Sequence, residues 1–298
     1  MTRISFVSTY LLILFVLSDI RTFSRQQEQS KARTNLEKDE RDPDFATTLA
    51  KGLTILSAFR PSRLRMSNAE LAEIAGITRP TAARLTYTLA KMGYLKAEKS
   101  KYRLGWRVVS LGLPLISSLR FLQLAKPSVD RLAQDVGGTV SIGVIDSTNF
   151  MYLETARANE NIWSSPDVGT VGPLLRATVG HALCSLLTDD ELEQKIDAIR
   201  RKTPDDWTAH GGAFLKGIED CRQTGASIIK GDWVPETNSV GAALFRNADG
   251  EAFAINCRVP IHRLRPGQFE EEVVPRLKSL ASAIRAHAAH AKEDRLIK

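Results

Sequence analysis

The stretch from Gly76 to Leu95 reads GITRPTAARLTYTLAKMGYL, and its leading end carries side chains suited to nucleic-acid chemistry. Arg79, Pro80, Thr81 and Arg84 stand there, while Ala82, Leu85, Leu89 and Met92 recur at helical spacing behind them. An arginine presents a planar fork that matches two acceptors of guanine. A threonine suits a base edge, a thymine methyl or a phosphate. The free amides of a helix start also favour a phosphate. The apolar stripe would hold such a helix against its neighbours and leave the polar end facing out.

Other chemistries lack their residues. Cys184, Cys221 and Cys257 are odd in number and too widely spaced for a metal knuckle or a disulfide framework, so they read as reduced thiols. The five histidines (His181, His210, His262, His287, His290) include no His-Glu-x-x-His pair. There is no Gly-x-Ser-x-Gly elbow, phosphate loop or Gly-x-Gly-x-x-Gly fingerprint. The expectation is therefore no catalytic residue, no metal, no cofactor and no enzyme activity.

Charge points the same way as the arginines. The 298 residues carry a formal +7, but residues 45–120 hold 13 Lys and Arg against three Asp and Glu. Residues 1–44 balance at seven of each, and residues 121–298 carry 21 basic against 24 acidic groups. A basic module beside a mildly acidic one is the electrostatic footprint of a nucleic-acid-binding domain joined to something else.

The elements that must position these residues follow from local signals. FATTLAKGLTILSAF, Phe45 to Phe59, carries Phe45, Leu49, Leu53, Ile55, Leu56 and Phe59 on a helical stripe before the stop at Pro61. Ser67-Asn68-Ala69-Glu70 is a capping box, and the short helix it opens closes at Gly76. Thr78 then caps the next helix, with Pro80 in its first turn. This is helix, glycine turn, helix, whose second helix presents its N-terminal residues to the major groove. Beyond it, Tyr94-Leu95 and Tyr102-Arg103-Leu104 read as short strands flanking Lys99-Ser100-Lys101. Such a hairpin is a wing that lays Lys99, Lys101 and Arg103 along the phosphate backbone.

FATTLAKGLTILSAF, NAELAEIAGITRPTAARLTYTLAKMGYL and YRLG together resemble the winged helix-turn-helix of the IclR family of bacterial transcriptional regulators. The resemblance runs over about residues 45–290. It includes VGTVGPLLRATVGHALCSLL and GAALFRNADGEAFAINCRVP in the second half, and implies a GAF-like domain that binds a small, often carboxylate, effector.

In that half the pattern predicts a linker helix over Trp106 to Arg120, interrupted near Gly112-Leu113-Pro114, and a helix over Phe121 to Ala133. Strands are expected at Thr139–Ile145, Phe150–Glu154, Ala226–Gly231, Val240–Arg246 and Ala252–Val259. Helices are expected at Ala177–Leu187, Asp189–Lys202, Gly212–Thr224 and Glu270–Ala291. The fold class is α+β: an N-terminal winged helix-turn-helix joined by a linker helix to a GAF-like antiparallel-sheet effector domain. The resemblance assigns effector contacts to Thr178 and Val179 on the pocket helix, Asp232 on a loop, Ser239 or Val240 on one strand, and Asn256 and Arg258 on the last. Cys257 points the other way. Arg258 suits a carboxylate, or a structural pair with Asp232. Leu244 replaces a family proline, which predicts a one-residue slip in strand register. His181 stands where lysine is common and is expected at the surface, and Cys257 is expected in an apolar core.

Residues 1–17 contain ISFVSTYLLILFVL, too short to span a bilayer comfortably and without a small-residue cleavage site. Arg21 to Asp44 reads as a disordered leader. The preferred account is a start assigned too far upstream; a signal segment or weak anchor are the alternatives. The domains are then a leader over 1–44, a winged helix-turn-helix over 45–105, a linker helix over 106–120 and an effector domain over 121–292. The functional expectation is a cytoplasmic, ligand-responsive regulator. It would bind an inverted-repeat operator in double-stranded DNA as a homodimer or homotetramer, with a small-molecule effector and no membrane. The rivals are a small-molecule-processing enzyme associated with nucleic acid and a membrane-tethered interaction protein.

Overall fold

The computed structural model describes residues 42–60, 63–158, 166–231 and 236–296. Expectations for residues 1–41 and for Asp232 lie outside them. The chain divides into two units after Leu115.

The first unit begins with helix α1, Thr47–Ser57. A two-residue strand β1, Met66–Ser67, leads into α2, Asn68–Ala75. The capping box forms: the Ser67 hydroxyl accepts the Glu70 amide while the Glu70 carboxylate accepts the Ser67 amide. Gly76 closes α2 with a φ of 63°, in the left-handed region where a side chain would be strained. Helix α3, Arg79–Lys91, starts on the Thr78 cap. Strands β2, Leu95–Glu98, and β3, Lys101–Leu104, form the hairpin, and β1 adds to its β3 edge in the order β1-β3-β2. Ile55, Phe59, Met66, Leu71, Ala75 and Leu95 make the core. Three residues of the expected stripes are exposed instead: Leu49 at 63%, Leu53 at 52% and Met92 at 48%. Thr86, by contrast, is buried, and donates to Asn68 Oδ1 at 2.8 Å to bind α3 to α2.

Helix α4, Arg107–Ser118, contains Pro114 without a break, contrary to the expected interruption at 112–114. The proline removes one backbone hydrogen bond, to the carbonyl of exposed Ser110, where water can serve. The chain turns instead at Leu119, ahead of α5, Arg120–Val136.

The second unit is built on a six-stranded antiparallel sheet in the order β6-β5-β4-β9-β8-β7. Its strands are β4 (Thr139–Asp146), β5 (Asn149–Arg157), β6 (Val171–Pro173), β7 (Ser227–Lys230), β8 (Thr237–Arg246) and β9 (Ala252–Pro260). Between β6 and β7 lie α6 (Thr178–Cys184), α7 (Asp189–Lys202) and α8 (Pro204–Thr224), and a π-helical turn at Phe269–Val273 leads into α9 (Val274–Leu296). Helix α8 starts eight residues before the expected Gly212, because Pro204 suits a first turn and Trp207 packs on the α8 core residue Phe214.

Alternation along the strands separates two faces. Val140, Ile142, Val240, Ala242, Ile255, Cys257 and Val259 face α5 and α9 and form the larger core. The other face splits along its length. Phe150, Tyr152, Ala252 and Ala254 pack beneath Val179, Ala182 and Leu183 of α6 and Phe214 of α8. Past them the same face turns polar. The register irregularity expected at Leu244 is present: Ala243 pairs with Ala254 and Phe245 with Phe253, leaving Leu244 as the extra residue. It lies beyond the pairs Ser239–Arg258 and Gly241–Asn256, which stay in register.

Candidate functional site

On the first unit, the Thr81 amide donates to the Thr78 hydroxyl at 3.3 Å, and the two hydroxyls lie 2.9 Å apart. Thr81 is therefore engaged in the cap and half-buried, while Arg79, Pro80 and Arg84 are exposed. The ion pairs of this unit among the described residues are Arg63–Glu70, Arg65–Glu98 and Arg103–Glu98, so Arg79 and Arg84 carry unneutralised charge at the head of α3. The exposed stripe continues through Ala83, Tyr87, Thr88 and Lys91, with Lys91 Nζ 5.5 Å from the centre of the Tyr87 ring. Sequence reasoning missed Ala83, Tyr87 and Lys91. Their signal was the spacing of three, four and seven residues from Pro80 and Arg84.

In the wing, Glu98 pairs with Lys101, leaving Lys99-Ser100 as a two-residue turn with Lys99 at a φ of 56°. Lys99 and Lys101 point into solvent. Arg103 does not: its Nε donates to Glu98 Oε1 at 2.6 Å and its Nη1 to the Leu104 carbonyl at 3.0 Å. Arg65 donates to the other Glu98 oxygen at 2.8 Å. These hydrogen bonds hold the Glu98 carboxyl below its ordinary value, Arg65 contributing most.

On the second unit, strand pairing collects the polar residues. Asn256 lies opposite Ser141 on β4 and Gly241 on β8; Arg258 lies opposite Thr139 and Ser239. Partners across a ladder share a face, so all belong to the polar end of the sheet. Ser141 pairs in turn with Thr155 on β5, whose hydroxyl donates to Ser141 Oγ at 3.0 Å. The hydroxyls of Thr178 and Ser239 are 2.7 Å apart and tie α6 to β8. Gly241 permits that approach, since a Cβ there would lie 2.2 Å from the Thr178 carbonyl oxygen. Thr178 and Val179 are both buried, Val179 in the apolar half.

Tyr152, missed in the sequence, completes the group. Burial pushes its phenol up, and the Arg258 charge and hydrogen bonds from Asn256 and Arg258 draw it partly back. Asn256 is 4% exposed and its Oδ1 has no hydrogen-bond partner. Arg258 is half-buried and pairs with no carboxylate among the described residues. The arrangement is a cation, an open acceptor, a phenol and several hydroxyls on one floor, next to an apolar wall. It can hold a small polar anion.

His181 corrects an expectation. It is 2% exposed, its Nδ1 lies 2.8 Å from Ser227 Oγ, and Phe214 meets its ring edge-on at 5.5 Å. Room for it comes from Gly217, where a Cβ would fall 2.0 Å from Nδ1. The three thiols are buried and pushed up to about 12 by that burial. Among the described residues no three metal-binding side chains gather, and no single helix is long and apolar enough to cross a membrane.

Comparison with known proteins gives concordant matches. The description "IclR helix-turn-helix domain" matches residues 48–99, and "Bacterial transcriptional regulator IclR C-terminal" matches residues 114–286. The HTH-type transcriptional regulator TsaQ1/TsaQ2 of Comamonas testosteroni is 27% identical over 254 residues, covering 84% of this chain and 91% of that protein. The p-hydroxybenzoate hydroxylase transcriptional activator of Acinetobacter baylyi is 27% identical over 272 residues, covering 87% and 98%. A crystal structure of an IclR family transcriptional regulator from Brucella abortus superposes with a TM-score of 0.67 at 27% identity, covering 84% of this chain and 95% of that one.

Proposed function

The chain belongs to the IclR family of bacterial transcriptional regulators, a ligand-responsive, DNA-binding family, and we propose how its residues divide that work. Arg79, Pro80, Thr81 and Arg84 enter the major groove of an inverted-repeat operator, and Lys99 and Lys101 flank them on the phosphates. Arg103 contributes by fixing the wing through Glu98. Residues 45–105 form the DNA-binding domain, 106–120 the linker and 121–292 the effector domain. The observation that carries the first half is the unneutralised arginine pair on a capped, exposed helix start, on a unit whose net charge is strongly positive.

The effector is a small carboxylate that binds the polar floor, with Arg258 as its cation and Thr178, Val179, Ser239, Asn256 and Tyr152 around it. Asp232 belongs to the same proposal through the family pattern. The Acinetobacter activator, named for a p-hydroxybenzoate hydroxylase, supports an aromatic acid as one candidate. Binding transmits to DNA because the ligand favours one arrangement of the chain over another. The protein acts in the cytoplasm, by binding and without turnover, as a homodimer or homotetramer. Leu49, 63% exposed, and Leu53 on α1, with Val109, Leu111 and Leu113 on α4, offer the apolar surface that a second copy would cover.

Selection of bound duplexes from a random library with the full chain tests this reading. An inverted repeat whose retention changes when small acids are added is the expected result. Binding without sequence preference, or without response to any acid, removes it.

A further inference from the structure

Direct reading of a base in the major groove needs a side chain that matches its edge. Arginine or lysine suits guanine, an Asn or Gln amide suits adenine, a carboxylate suits the cytosine amino group, and an apolar group suits the thymine methyl. Helix α3, RPTAARLTYTLAK, contains no Asn, Gln, Asp or Glu. Its three threonines have their hydroxyls engaged within the unit. Thr81 Oγ1 lies 2.9 Å from Thr78 Oγ1, Thr86 Oγ1 donates to Asn68 Oδ1 at 2.8 Å, and Thr88 Oγ1 donates back to the Arg84 carbonyl at 3.0 Å. Pro80 and Ala83 are both exposed and stand on one side of the helix, with Tyr87 a turn further on and Arg79 and Arg84 beside them. The Tyr87 phenol aside, the exposed face offers a base only cations and small apolar groups.

We infer that α3 reads thymine through its 5-methyl group, with the Pro80 ring and the Ala83 methyl as the contacting surface, between guanines taken by Arg79 and Arg84. This rests on the reading of α3 as the helix that enters the major groove. At a rise of roughly 1.5 Å per residue, Pro80 and Ala83 are about 4.5 Å apart along the helix axis. Stacked bases are about 3.4 Å apart, so the two groups can meet the same thymine or neighbouring ones. No residue of α3 supplies the amide for adenine or the carboxylate for cytosine, so an A·T pair is told from the others by its thymine side.

The test is made on the DNA. Operator duplexes selected from a random library with the full chain are resynthesised with each half-site thymine replaced in turn by deoxyuridine, which removes the methyl and leaves every hydrogen-bonding group in place. At one or two positions the change should weaken binding roughly fourfold per half-site, about what burying one methyl is worth, while thymines outside the half-sites tolerate it. Pro80→Ala with Ala83→Gly should bring the thymine and deoxyuridine duplexes to within about twofold of each other. The first comparison uses the unaltered chain and so stands whether or not the double variant folds. A half-site without thymine, indifference to deoxyuridine at every half-site position, or full discrimination retained by the folded double variant overturns the inference. Substitution of 7-deazaguanine, which lacks the N7 acceptor, separates it from the wider reading. Loss of binding with 7-deazaguanine and none with deoxyuridine keeps α3 in the groove and removes the methyl contact. A chain that selects no sequence removes both.

Discussion

Across the wing, Arg103 donates its Nε to Glu98 Oε1 at 2.6 Å, so a guanidinium that its position would offer to a phosphate is already held by a carboxylate of the same hairpin. Arg65 occupies the second oxygen. The wing's available positive charge is therefore that of Lys96, Lys99 and Lys101, and Glu98 sets the limit.

Glu98→Gln is expected to release both guanidinium groups, raise affinity for random duplex DNA and steepen its salt dependence by about one to two phosphate contacts. Lys99→Ala with Lys101→Ala should flatten the same slope by about two, while Arg103→Ala changes it little. Anisotropy titrations across a range of NaCl concentrations measure all three. A loss of slope for Arg103→Ala equal to that of the double lysine variant would show that Glu98 does not withhold it.

Arg84→Ala should weaken operator binding by about 1–3 kcal/mol and binding to random DNA by much less, because a base contact carries sequence preference and a phosphate contact does not. Competition titrations with operator and scrambled duplexes read the difference. Equal losses on both would assign Arg84 to the backbone.

The capping box makes stability depend on acidity. Hydrogen bonds from the Ser67 amide and Arg63 hold Glu70 at about 2, and Arg246 together with the Thr188 amide holds Glu191 at about 2. Both folded-state values lie below the unfolded ones, so the stabilisation is complete above the ordinary carboxylate range and is lost as pH falls through it towards about 2. Ser67→Ala should cost about 1 kcal/mol at neutral pH. Glu70→Gln should flatten the acid limb of the stability curve for the first unit. Urea unfolding followed at several pH values tests both, and an acid limb unchanged by Glu70→Gln would assign it to other groups.

Leu49→Asp with Leu53→Asp is expected to shift the chain towards monomer in light scattering. The melting transition of the first unit should change little, because neither side chain belongs to its core. Operator affinity should fall steeply when the two half-sites are no longer bound as one. A variant that stays oligomeric moves the interface off α1.

The helix-turn-helix was legible because each of its signals is local. Ser67 reaches Glu70, Gly76 closes one helix and Thr78 opens the next within a few residues. Strand β1 was not legible, since two residues carry no period and its pairing with Tyr102 and Lys101 is distant in sequence. The alternation that puts Asn256 and Arg258 opposite Cys257 could be read directly from β9. The burial of His181 could not, as it depends on Gly217 and Ser227 from separate elements. The open oxygen of Asn256 is likewise a property of its neighbours, and only the ladder brings Ser141 and Gly241 to its sides.

The two-faced sheet also bears on how such a sensor can change over generations. Thr139, Ser141, Asn256 and Arg258 alternate with Val140, Ile142, Ile255, Cys257 and Val259, and only the second set packs into the main core. A substitution in the first set alters the chemistry presented to a ligand without disturbing the layer that keeps the domain folded. New ligand preferences are thus reachable through single, individually tolerated steps, each leaving a folded regulator on which the next can act.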